Sequence, residues 1–129
     1  MIGGRVLDAP TLAGFAGELP YPQALVWTAV QEDIVLAVPA AALTSAWART
    51  PAGVHDALDV LLGLPNTVVE PLDRDAAGEV GPLLAGGDVD AVRAGQVVHS
   101  GIRRGWPVVT AEPAPLRAID PRVEIDELP

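Results

Sequence analysis

Short runs of β-branched and aliphatic residues alternate along this chain with longer Ala/Leu-rich segments. That repeated change of hydrophobic period, from about 2 to about 3.6 residues, constrains the fold more than any other feature. It predicts a parallel sheet whose strands are joined by crossover helices. Strands are expected at Arg5–Asp8, Ile34–Val38, Thr67–Glu70, Val108–Thr110 and Val123–Ile125. Helices are expected at Thr11–Gly17, Pro22–Gln31, Ala40–Arg49, Val54–Leu62, Asp73–Leu84, Asp88–Arg104 and Pro115–Ile119. Pro39 suits a first helical position, Asp88 an N-cap, and Gly105 a left-handed stop. The expectation is a single domain over residues 1–129, an α/β/α sandwich of three layers with a mostly parallel central sheet.

Half of the 129 residues are hydrophobic, enough for a core without disulfides or metal staples. Cysteine is absent, which removes thiolate zinc sites, iron–sulfur clusters and cysteine nucleophiles. Lysine is absent too, so all 8 basic residues are arginine. Schiff-base chemistry, a P-loop and a receiver-type site are thereby excluded. The net charge of −9 is the wrong sign for long-range capture of a phosphate backbone, so a nucleic acid would need a bound cation, an Arg-lined groove or a basic partner. No apolar run approaches the roughly 20 residues of a membrane span, and the start of the chain lacks a secretory pattern, so a cytoplasmic protein is expected.

Ligands of open parallel sheets sit beyond the carboxyl ends of the strands. Two acids stand there, Asp8 after the first strand and Glu112 two residues after Thr110. Converging carboxylates repel unless a hard divalent cation joins them, and such a cation can activate water against a phosphodiester. The ordinary alternative is that each acid caps the helix that follows it.

The run Val6-Leu7-Asp8, the Val38-Pro39 entry into the third helix, and Gly105-Trp106-Pro107-Val108-Val109-Thr110-Ala111-Glu112 together resemble the PIN-domain family of small ribonucleases. The VapC-type toxins of toxin–antitoxin pairs belong to that family. The resemblance spans nearly the whole chain. It implies a PIN-like fold, RNA phosphodiester hydrolysis with Mg²⁺ or Mn²⁺, a homodimer, and a small antitoxin with a basic segment as partner.

Carried over position by position, the resemblance makes Asp8 the first metal-binding acid and Glu112 a lengthened form of the last. The family's second acid, six residues beyond the proline, falls on Ser45. The third, eleven residues before the glycine, falls on Ala94, with Asp90 as the nearest upstream acid. Catalytic and metal-binding candidates are therefore Asp8, Glu112 and Asp90, with Thr11, Ser45, Thr110 and Arg104 as accessory residues. One acid is kept, one changed, one displaced and one lost. This leaves two readings: a divalent-metal-dependent endoribonuclease, or a degenerate PIN domain acting as a protein- or nucleic-acid-binding module.

The remaining conspicuous residues have plain readings. His55 and His99 are expected at the surface, and Trp27, Trp47 and Trp106 in the core or a dimer interface. Arg103 and Arg104 are expected to complete a helix C-terminus, with Arg104 as a phosphate contact beside Glu112.

Overall fold

The computed structural model describes residues 3–129. Five strands form one sheet: β1 (Gly4–Leu7), β2 (Val35–Pro39), β3 (Thr67–Glu70), β4 (Val108–Thr110) and β5 (Ile125–Glu127). Their order is β3-β2-β1-β4-β5 and every pairing is parallel. The helices are α1 (Ala9–Ala16), α2 (Pro20–Gln31), α3 (Ala40–Arg49), α4 (His55–Leu62, after a 3-10 turn at Ala52–Val54), α5 (Arg74–Leu84), α6 (Val92–Arg104) and α7 (Pro113–Ile119). Among the described residues no helix is long and apolar enough to cross a membrane.

The three layers follow from burial. Side chains of successive strand residues point to opposite faces, and Val6 with Leu7, and Val108 with Val109, are all fully buried. Helices must therefore cover both faces of the sheet. On one face α6 lies so close that a Cβ on Gly101 would stand 2.9 Å from Val108 Cγ2. A Cβ on Gly4 would fall 2.3 Å from the Trp106 ring, so the start of β1 has room only for hydrogen there. Gly105 ends α6 at φ 67, as its place predicted.

Most element boundaries shift by one or two residues from the sequence reading, with Pro39 closing β2 as the N-cap of α3 instead of opening that helix, and three of the differences have a clear local reason. The long helix starts at Val92, not Asp88: the Asp88 carboxylate accepts the Asp90 N–H at 3.0 Å, and a separate turn precedes the helix. An Asx-type turn and an N-cap use the same residue, which is why the sequence did not distinguish them. β5 lies at Ile125–Glu127, because Asp120 binds Arg122 through both backbone and side chain and holds the intervening segment in a turn. Asp8 is not the last strand residue but the N-cap of α1, its Oδ1 accepting the Thr11 N–H at 2.9 Å.

Candidate functional site

The order β3-β2-β1-β4-β5 has one reversal. From β1 the chain adds β2 and β3 on one side, then returns to add β4 and β5 on the other. The crevice at the carboxyl ends of β1 and β4 is thus the topological switch point, where open α/β sheets take their ligands. Leu7 pairs with Val109, so Asp8 and Thr110 stand side by side at that edge. Glu112 follows as the N-cap of α7.

Thr11 and Thr110 build the crevice without facing a ligand. The buried Thr11 hydroxyl donates to the Val109 carbonyl at 3.0 Å and ties α1 to β4. Thr110 Oγ1 accepts the Glu112 N–H at 3.0 Å, turning the chain out of the strand so that the Glu112 side chain is exposed. Asp8 is 8% exposed and spends one oxygen on its cap. Among the described residues, no arginine or histidine lies in ion-pair distance of Asp8.

The other two acid positions of the resemblance carry different chemistry. Ser45, on α3, accepts a hydrogen bond at 3.0 Å from Nη1 of Arg93, on the first turn of α6. One turn further along α6, the buried Gln96 takes the Ala41 N–H on its Oε1 at 2.9 Å and gives its Nε2 to the Glu70 carbonyl at 3.1 Å. These two rungs fix α6 against the start of α3. Ala94 is half-buried beside α7 in an apolar groove with Pro115, Ala118 and Ile119. Asp90 is exposed in the turn before α6, not on the helical face beside Ala94. Among the described residues, no three His, Cys, Asp or Glu side chains gather closely enough to hold a metal ion.

Arg104 lies elsewhere than beside Glu112. Together with Arg103 it binds Glu70, the last residue of β3, and it also stacks 4.8 Å over Trp106. Burial raises the Glu70 carboxyl, but the Arg104 and Arg103 guanidinium groups outweigh it and hold the group below the usual carboxylate range. Sequence reasoning missed this cluster, since its partners lie 33 and 34 residues apart and no local pattern announces the pairing. His99 was also misplaced. Its side chain is only 14% exposed and binds Glu79 of α5 at 2.8 Å, in a polar cleft of about 390 Å³ that also holds Asp75, Ser100 and Arg103. His55 is half-buried, with Nε2 on the Thr50 carbonyl at 2.8 Å and its ring edge-on to Trp47. Trp47 and Trp106 pack against the core, whereas Trp27 is 42% exposed.

No family model matches the sequence, and no curated protein does. Among solved structures, the chain is similar to one in the crystal structure of VapBC2 from Rickettsia felis bound to a DNA fragment from their promoter. The TM-score is 0.69 at 12% identity, over 98% of this chain and 99% of that one. The likeness establishes a shared fold.

Proposed function

We propose that this chain is a PIN-like domain of the toxin–antitoxin kind whose cleft binds nucleic acid and has lost most of its capacity to cut it. The observation that carries the reading is the bond between Arg93 and Ser45. Where the resemblance calls for the second acid there is a neutral hydroxyl, and it is occupied by a guanidinium. Ala94 contributes no donor at the third position. Asp8 and Glu112 remain as oxygen ligands. They do not fit a tightly held Mg²⁺ or Mn²⁺, because one Asp8 oxygen is engaged in the cap and Asp90 stands outside the crevice. A divalent ion at this edge would keep most of its water. The acidic surface, at net charge −9, suits a small antitoxin with a basic segment, and the resemblance adds a homodimer in the cytoplasm.

A second reading is favoured by one feature. Asp8 is buried at the switch point with no cation partner among the described residues, as a metal-binding acid would be. On that reading the chain is a metal-dependent endoribonuclease. The two are separated by incubating structured and unstructured RNA with the wild type and Asp8→Asn in Mg²⁺ or Mn²⁺. The proposal expects both proteins to be equally inert. Metal-dependent cleavage that disappears in Asp8→Asn makes the nuclease reading the right one.

A further inference from the structure

We propose that Arg93, anchored by Ser45 where α6 meets α3, is the group that takes hold of a single-stranded RNA phosphate; the inference rests on the nucleic-acid-binding reading above and names the side chain responsible. Acids outnumber arginines in this chain by 17 to 8. Arg5, Arg103, Arg104 and Arg122 are each spent on a carboxylate. Arg93 is held in a different way, because its partner is a hydroxyl, which fixes the guanidinium without neutralising it. Among the described residues no carboxylate lies in ion-pair distance of it.

The anchor has a rigid base. Arg93 precedes Gln96 by three residues on α6, and Ser45 follows Ala41 by four on α3, so both contacts lie on facing helix surfaces. Gln96 is 2% exposed, and its bonds to Ala41 and Glu70 set the distance that the Arg93–Ser45 rung spans. An arginine in this state has already lost part of its rotamer freedom. Arg93 is exposed, and the N–H groups that it does not give to Ser45 belong to a planar fork of the kind that matches two oxygens of a phosphate. A guanidinium also supplies locally the positive charge that the missing acids and their metal do not. The overall charge of −9 slows the approach of RNA, while one placed cation decides where a phosphate rests once it arrives.

The test is fluorescence anisotropy of a short single-stranded RNA, with a chelator present to exclude divalent ions, over a salt series starting at about 20 mM. Arg93→Gln is expected to weaken binding about 5- to 10-fold and to lower the salt slope by about 0.7, the value for one phosphate contact on a single strand. Ser45→Ala keeps the charge and removes the anchor, so about a 2- to 3-fold loss with an unchanged slope is expected. Arg74→Gln serves as the control. Arg74 is exposed on α5 and takes part in none of the contacts above, so wild-type affinity is expected apart from a small general charge effect. Equal thermal midpoints for Arg93→Gln and wild type would show that folding is not the cause. The inference is overturned if Arg93→Gln binds like wild type, if Arg74→Gln loses as much as Arg93→Gln, or if the wild type binds no RNA at low salt. The first two results leave the binding reading standing; the third removes both.

Discussion

Glu70 ends β3 and Asp8 directly follows β1, two places away in the same sheet; the two acids are equally buried at 8% exposure and are partnered in opposite ways. Glu70 receives two guanidinium groups, while Asp8 receives one backbone N–H. In a chain with few cations that allocation separates a structural acid from an available one. Glu70 fastens the end of β3 to α6. Asp8, at the switch point, gives Oδ1 to the cap and has no cation partner among the described residues.

Replacing Glu70 by Gln should lower stability by about 1–3 kcal/mol, the usual range for losing charged hydrogen bonds at a mostly buried site. The pH dependence has a definite sign. The folded carboxyl titrates below its ordinary value of 4.5, so its contribution is complete above that value and is withdrawn as pH falls through the lower folded one. Urea midpoints of wild type and Glu70→Gln should therefore converge on acidification from near-neutral pH. A gap that widens in acid would contradict the assignment.

Gln96→Leu keeps the volume and removes both hydrogen bonds. The Ala41 N–H and the Glu70 carbonyl would lose their side-chain partner, at an expected cost of about 2–4 kcal/mol. Chemical denaturation measures it. A change within about 0.5 kcal/mol would show that the tie between α3 and α6 carries little energy.

Gly4→Ala puts a methyl group onto the Trp106 ring, where the nearest atoms stand 2.3–2.5 Å from the added carbon. The indole has to move, which also disturbs the stacked Arg104. A loss of about 1–3 kcal/mol with altered tryptophan fluorescence is expected. Wild-type stability and an unchanged spectrum would mean that the ring is not confined there.

Metal-free RNA affinity at physiological salt should be weak, because a net charge of −9 opposes the phosphate backbone and a single local contact is heavily screened. Submicromolar metal-free binding under those conditions would show a basic surface that this chain does not have.

The elements were legible in the sequence because their signals are local. Thr67–Glu70, Ala40–Arg49 and Val108–Thr110 fall where periodicity and proline punctuation put them. Asp8 was legible as a strand-end acid, and both its capping role and its place at the switch point follow from the order of elements. Glu70 was not, since its ion pairs depend on α6 crossing the end of β3, a packing fact with no local signature. Asp90 misled for a related reason. An aspartate before a helical run reads as part of that helix, and only the Asp88 turn shows that it lies outside. Ser45 was recognised as a lost acid, but the guanidinium that reaches it comes from another helix 48 residues on.

The most direct test of the account is Mn²⁺ binding to the wild-type protein, followed by calorimetry and compared with Asp8→Asn. Two partial oxygen ligands predict no saturable site below about 1 mM Mn²⁺ and little difference between the proteins. A stoichiometric site filled at micromolar Mn²⁺ and abolished by Asp8→Asn would contradict the account and restore a working metal centre at the ends of β1 and β4.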